Sequence, residues 1–299
     1  MKHVLTLDSF YSGAAELREV FDERFRDPGS ARGDRFVWDF WYVKDQYRLV
    51  RTPAYHYFPA KLYRNFHSEL VQWGRRTLGC HDISPPWLSY YVDGCRQELH
   101  SDVPHGPWAF VYSISPRKIR YRGGETLILR PEVLNYWPGF TDAKERELSS
   151  FVDRVKSPFN RLTVFDPRFP HGVTEVRGVE NPQEGRLVIH GWFVEPRPYV
   201  VGALKTHQVG RALEEVMSRL SDELPRLGDL HGTVSLRLKV KADGAVTGFE
   251  FLTETLMGLQ DPRAQKLAAR KVLKSLFSKL QFPRSKGNSE VTIPLLFKI

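Results

Sequence analysis

Two residues separated by one position have the chemistry of a possible metal site. His100 and Asp102 could bring an imidazole and a carboxylate to the same ion if they lie at the end of one strand. The bare H-x-D pattern is weak evidence, because a chain with ten histidines can contain such a pair by chance. Taken alone, the pair also fits a surface turn or a histidine buried in a core, so further donors must converge on it.

A third donor comes from a distant part of the sequence. His171 follows the apolar run RLTVF after a short Pro-containing turn, and a rolled sheet can return it to the first strand. Two imidazoles and one carboxylate form the 2-His-1-carboxylate facial triad, which suits Fe(II) because open coordination positions remain. The sequence therefore predicts an iron site formed by His100, Asp102 and His171.

Arg186 supplies a positive charge to the same region. It begins the run RLVIHGWF, whose period-two pattern places it on one face with His190 and Trp192. A buried arginine needs an anion, and a guanidinium binds a carboxylate through two charge-assisted hydrogen bonds. Arg186 is therefore predicted to bind the distal carboxylate of a dicarboxylic cofactor.

The elements that must position these residues are short strands. Between Trp87 and Phe193, runs rich in β-branched and aromatic residues are interrupted by Gly and Pro. Many short strands without helices between them are typical of an antiparallel sandwich or barrel. Amphipathic helices are predicted at residues 13–26 and 62–73, outside this sheet.

Several motifs in this order resemble the Fe(II)/2-oxoglutarate-dependent dioxygenases, and among them the prolyl-4-hydroxylase-like branch. Tyr91 and Gly94 resemble the Y-x-x-G lead into H-x-D, and residues 123–126 resemble the GGET strand of that branch. The resemblance covers roughly residues 85–195. It implies a mostly β fold, a double-stranded β-helix (jelly roll) with flanking helices.

The resemblance also implies an activity. The expected enzyme is a hydroxylase that oxidises a C–H bond of an amino acid, a peptide or a related small molecule, with release of succinate and CO2. Fe(II) is the implied metal, 2-oxoglutarate the co-substrate and ascorbate an optional further cofactor. Arg186 and Tyr91 would hold the far end of 2-oxoglutarate. Asp102 argues against the related halogenases, which have a small residue at that position.

A second domain is predicted for residues 204–299, after a first domain of residues 1–203 with its β-helix core at about 85–195. In the second domain, Asp243-Gly244 predicts a hairpin turn, Asp261-Pro262 predicts a helix start and residues 291–299 predict a last strand. This small α+β unit resembles TonB C-terminal-type domains, from which only the fold is carried over. A protein-interaction or dimerisation role is expected for it.

Composition excludes several other classes of protein. With 41% hydrophobic and 26% charged residues, the 299-residue chain is typical of a globular protein and not of a disordered one. The sequence shows neither an export signal nor an apolar stretch of membrane-spanning length, so we expect a cytoplasmic protein without a membrane partner. Only two cysteines, Cys80 and Cys95, are present, which favours a reducing compartment.

Two alternative functions remain open. The net charge of +9 and the Tyr91–Gly94 motif also fit an AlkB-like nucleic-acid demethylase. That enzyme would have Asn in place of Ser89 and Arg in place of Trp192, so a nucleic-acid partner is not favoured. The other alternative is a non-catalytic, cupin-like binding module, against which the complete triad and the buried arginine argue.

Overall fold

The computed structural model describes residues 3–26, 38–102, 105–130 and 151–297. The chain folds into two compact units. The large unit comprises Val4–Leu70 and Ile83–Phe193, and the small unit comprises Met1–His3, Val71–Asp82 and Val194–Ile299. The domain boundary predicted near residue 204 stays a prediction.

The large unit is built on a curled antiparallel β-sheet. Neighbouring strands follow the order β1-β10-β7-β12-β5-β3-β6-β11-β8-β9, and β2 pairs with β3. Such a sheet with few helices is consistent with a jelly roll, so the predicted mostly β fold is confirmed. In chain order the strands of residues 4–196 are β1 (Val4–Leu7), β2 (Asp39–Val43), β3 (Tyr47–Pro53), β4 (Cys80–Ile83), β5 (Trp87–Tyr91), β6 (Arg96–His100), β7 (Trp108–Ser113), β8 (Thr126–Leu129), β9 (Val152–Val155), β10 (Arg161–Phe165), β11 (His171–Val173) and β12 (Arg186–Pro196).

Helices cover one face of this sheet. The buried ring of Phe21 lies 5.3 Å from Tyr90, and that of Phe66 lies 4.8 Å from Tyr112, measured between ring centroids. The two predicted amphipathic helices are thus confirmed, each with its apolar stripe against the sheet. Among the helices of the described residues, none is long and apolar enough to cross a lipid bilayer. The helices before residue 80 are α1 (Ala14–Phe25), α2 (Ala54–Tyr57) and α3 (Ala60–Thr77).

Side chains alternate between the helix-covered face and an internal cavity. On β12, Leu187 and Ile189 are fully buried on one face, whereas Arg186 and His190 line the cavity on the other. This is the period-two pattern predicted from the sequence. The sheet therefore separates a hydrocarbon core from the cavity that contains Arg186 and His190.

The hairpin of β2 and β3 was not predicted. The two strands pair antiparallel from Asp39↔Arg51 to Val43↔Tyr47. Asp45 in the connection has a φ of +61°, a left-handed backbone conformation that aspartate tolerates better than most residues. The hairpin matters for function because it adds side chains to the cavity wall.

The small unit has its own antiparallel sheet and two long helices. The strand order is β13-β17-β14-β15, with β16 paired to β14. The predicted helix start is confirmed, since the Asp261 side chain accepts a hydrogen bond of 2.9 Å from the backbone N–H of Ala264. The predicted hairpin is also present, and Gly244 adopts a φ of +90° in its turn. The elements are β13 (Tyr199–Gly202), α4 (Thr206–Leu227), β14 (Leu230–Val240), β15 (Val246–Glu254), β16 (Met257–Gly258), α5 (Pro262–Phe277) and β17 (Ser289–Phe297).

Gly123, in the Gly-Gly pair before β8, allows a first test of the fold. Gly123 has a φ of +73°, and a Cβ added there would overlap the carbonyl oxygen of Glu175. Gly178 has a similar φ of +80°, but an added Cβ would meet nothing within 4 Å. Gly178→Ala should therefore cost only the left-handed strain, about 1–2 kcal/mol. We predict that Gly123→Ala costs about 1–3 kcal/mol more, because a backbone atom must also move.

Urea denaturation of the two variants and the wild type would measure this difference in the free energy of unfolding. Equal losses in the two variants would show that the close approach of Gly123 to Glu175 does not constrain the fold.

Candidate metal centre

The three predicted metal ligands come from two adjacent strands. His100 is the last residue of β6 and His171 the first residue of β11, and the two are direct partners in the antiparallel register. Asp102 follows two residues after His100, with its backbone N–H bonded to the carbonyl of Pro167 at 3.0 Å. The curl of the sheet therefore brings together donors that lie about seventy residues apart in sequence.

The donor atoms are close enough to share one ion. One oxygen of Asp102 lies 3.1 Å from Nε2 of His171, and the other lies 3.7 Å from Nε2 of His100. One ligand atom from each residue lies within 4.8 Å of the others. An ion about 2.0–2.2 Å from nitrogen and oxygen donors fits between atoms at this spacing.

Backbone carbonyls fix the orientation of both imidazoles. Nδ1 of His100 lies 2.8 Å from the carbonyl oxygen of Glu98, and Nδ1 of His171 lies 3.0 Å from that of Phe169. A carbonyl only accepts, so in each ring Nδ1 carries the proton and donates it. The lone pair of each Nε2 is left to face the neighbouring carboxylate, which is the arrangement found around metal-binding histidines.

The electrostatics favour the protonation states that bind a metal. Burial lowers the pKa of His100 below its ordinary value, although the Glu98 carbonyl and the Asp102 charge act in the opposite direction. Burial alone would raise the pKa of Asp102, but the close contact with Nε2 of His171 and the nearby histidines lower it overall. A neutral imidazole and an ionised carboxylate are the forms that coordinate a cation.

Arg186 is buried in the same cavity without a counter-ion. It is the first residue of β12, pairs with Tyr91 in the register, and is 1% exposed. Nη2 donates a long hydrogen bond of 3.3 Å to Thr126, whereas the buried Nε and Nη1 have no hydrogen-bond partner. Within the described ranges, no carboxylate forms an ion pair with Arg186. An isolated buried charge is costly, so this guanidinium indicates a site for an anion.

Tyr91 packs against the guanidinium of Arg186. The Arg186 Cζ lies 4.5 Å from the centroid of the Tyr91 ring, a cation–π distance. The Tyr91 hydroxyl donates to Oε1 of Gln97 at 2.8 Å. Burial raises the pKa of Tyr91, and the Arg186 charge offsets only part of this rise, so the phenol stays protonated.

All five predicted site residues line one cavity of about 650 Å³: His100, Asp102, His171, Arg186 and Tyr91. His190 also faces it. Burial and the Arg186 charge lower the pKa of His190 to about 3, and its Nε2 lies 2.7 Å from the Ser89 hydroxyl. His190 is therefore a neutral polar group in the wall.

Other residues of the cavity wall were not predicted. A signal was present for those in β2 and β3, because residues 40–43 and 47–52 are two runs rich in aromatic and β-branched residues on either side of a polar turn. The predicted sheet was confined to the β-rich segment that begins at Trp87. Strands β2 and β3 lie well before that segment in the sequence. Among the wall residues that were not predicted are Trp41, Tyr47, Arg51 and Trp87.

Comparisons with known proteins gave structural similarity only. No family model matches the sequence, and no curated protein matches it.

A Pseudomonas putida prolyl-4-hydroxylase is 15% identical, with 64% of this chain and 92% of that chain covered at a TM-score of 0.44. A viral collagen prolyl hydroxylase from Paramecium bursaria Chlorella virus 1, in complex with 2OG, is 11% identical, with coverages of 64% and 95% and a TM-score of 0.39. The non-heme α-ketoglutarate-dependent epimerase SnoN from nogalamycin biosynthesis is 11% identical, with coverages of 63% and 76% and a TM-score of 0.41. Similarity at this level does not assign the chain to a family.

The geometry of the donors predicts one high-affinity site for a divalent transition metal per chain. Anaerobic calorimetric titration with Fe(II) should give a stoichiometry of about one, and His171→Ala should weaken binding by on the order of 100-fold or more. His105→Ala is the matched control, because His105 lines the same cavity and stacks on Trp192, outside the triad. Equal loss of affinity in both variants, or none in either, would contradict the assignment of the ligands.

Proposed function

We propose that this protein is an Fe(II)- and 2-oxoglutarate-dependent hydroxylase. The observation that carries this proposal is a buried, unpaired guanidinium in the same cavity as a His-Asp-His cluster. The cluster fits a metal that keeps positions open for exchangeable ligands. The guanidinium fits the free end of a dicarboxylic acid whose other end reaches that metal.

Each residue has a defined task in this proposal. His100, Asp102 and His171 hold Fe(II), and the guanidinium of Arg186, whose Nε and Nη1 lack partners, binds the distal carboxylate of 2-oxoglutarate. Fe(II) and 2-oxoglutarate together supply the oxidation of a substrate C–H bond by dioxygen, with release of succinate and CO2.

The remaining wall residues orient the ligand and limit the access of water. Thr126 restrains Nη2 of Arg186, and the Tyr91 ring covers one face of the guanidinium. Phe165 packs on the His171 ring with centroids 4.8 Å apart. A fixed and largely apolar surrounding of this kind reduces the cost of bringing reactants together and strengthens the electrostatic contacts inside the cavity.

The proposed substrate is an amino acid, a peptide or a related small molecule. A nucleic-acid demethylase would have Asn in place of Ser89, which is fully buried and bonded to His190, and Arg in place of Trp192, so that alternative is not favoured. A purely structural barrel would gain stability by replacing Arg186 with an apolar residue, which favours the catalytic alternative over the binding module. For the small unit, the TonB C-terminal-type fold and an interaction or dimerisation role remain proposals.

The binding of 2-oxoglutarate gives a direct test. Anaerobic addition of Fe(II) and 2-oxoglutarate should produce a visible metal-to-ligand charge-transfer band, and oxygen should then yield succinate. Arg186→Met should raise the half-saturating 2-oxoglutarate concentration by on the order of 100-fold, because one partner of a buried charge pair is removed.

The same variant should be at least as stable as the wild type in the absence of ligands, because an uncompensated buried charge has been removed. Thermal unfolding with and without 2-oxoglutarate would measure this, with stabilisation by 2-oxoglutarate expected only in the wild type. An unchanged half-saturating concentration in Arg186→Met, or no succinate from the wild type, would contradict the proposed function.

A further inference from the structure

A second arginine in the cavity is held between two tryptophans. The Cζ of Arg51, on β3, lies 3.2 Å from the ring centroid of Trp41 and 3.9 Å from that of Trp87. All three side chains line the same 650 Å³ cavity as the metal ligands. Two indole rings at cation–π distance restrict the orientation of the guanidinium.

This arrangement leaves only the edge of the guanidinium available for binding. The edge carries the N–H groups, which match the two oxygens of a carboxylate. Nε of Arg51 is buried without a hydrogen-bond partner. The exposed carboxylate of Asp39 lies opposite Arg51 in the β2–β3 register, and its charge offsets only part of the lowering of the Arg51 pKa by burial. No salt bridge joins these two described side chains. Arg51 is thus pre-organised for an anion that the described part of the chain does not provide.

The charges in the cavity indicate how many negative groups are missing. Asp102 is the only acidic residue among those that line it in the described ranges. If the proposed function holds, Fe(II) and Asp102 leave one positive charge, Arg186 adds a second, and the 2-oxoglutarate dianion balances both. The charge of Arg51 then remains, and one further anionic group would neutralise it. The described part of the cavity wall has no second carboxylate that could pair with an ammonium group of a substrate.

We propose that Arg51 binds a carboxylate of the substrate, and that the substrate is a carboxylic acid with a net charge of −1. This inference rests on the proposed function and deepens it. An N-acylated amino acid, or the C-terminal residue of a peptide, has this chemistry. The interior of a peptide chain lacks the carboxylate, and a free amino acid carries an additional ammonium.

The test uses matched acids and amides as probes. N-acetylated forms of the twenty amino acids, and the corresponding N-acetyl amino-acid amides, are added to the protein with Fe(II), 2-oxoglutarate and oxygen. We expect at least one acid to raise succinate formation above the substrate-free rate. Its amide should require a concentration about tenfold or more higher, because the amide cannot form the charge-assisted contacts.

Two variants assign the effect to Arg51. Arg51→Gln should lose the response to the acid, and calorimetry on the anaerobic Fe(II)–2-oxoglutarate complex should show its affinity lowered about tenfold or more. Arg48→Gln is the matched control, since Arg48 lies on the same strand but outside this cavity, and it should respond like the wild type. Both variants should keep the charge-transfer band, which would show that Fe(II) and 2-oxoglutarate still bind.

Three results would overturn the inference while leaving the proposed function intact. In the first, an amide stimulates as well as its acid. In the second, Arg51→Gln retains the response to the acid. In the third, no acid has an effect although the charge-transfer band forms in the wild type. Absence of both the band and succinate in the wild type would instead contradict the proposed function, and the inference would fall with it.

Discussion

The buried and unpaired guanidinium of Arg186 is the constraint on which the functional interpretation depends. Two of its nitrogen atoms have no hydrogen-bond partner, although the side chain is almost completely excluded from solvent. A protein retains such a group at a cost in stability, and that cost is recovered when an anion binds. The His-Asp-His cluster in the same cavity indicates where the other end of that anion lies. Together, the two features support the proposal of a metal site and of an acid that bridges from the metal to the arginine.

The sheet explains why these groups meet. His100 and His171 are register partners on β6 and β11, and Tyr91 and Arg186 are register partners on β5 and β12. The β3 strand pairs with both β5 and β6, so the two halves of the site are joined through one sheet. Local backbone contacts complete the arrangement, since the carbonyls of Glu98 and Phe169 orient the two imidazoles. In the described residues, strand pairing therefore brings together His100 with His171 and Tyr91 with Arg186.

Much of this could be predicted from the sequence because the relevant signals are local. The run RLVIHGWF gives both a strand and the cavity-facing side of Arg186, and the Asp261-Pro262 pair gives a helix start. The H-x-D pattern and His171 identify ligand types, but their meeting depends on a pairing between β6 and β11 that periodicity alone cannot specify.

Arg51 shows the limit of that reasoning. Its proposed role depends on two indoles close to its guanidinium, one from the neighbouring strand β2 and one from β5. No spacing of residues in the sequence predicts these contacts. The lack of hydrogen-bond partners for two nitrogens of Arg186 likewise depends on the three-dimensional surroundings of the side chain, which the sequence does not specify.

A crystal structure of the protein prepared anaerobically with Fe(II) and 2-oxoglutarate would examine the central claim most directly. The account predicts an anomalous iron peak between His100, Asp102 and His171, and a carboxylate of the bound acid in contact with the N–H groups of the Arg186 guanidinium. Iron bound by other residues, or a 2-oxoglutarate molecule whose carboxylates leave Arg186 unpaired, would contradict it.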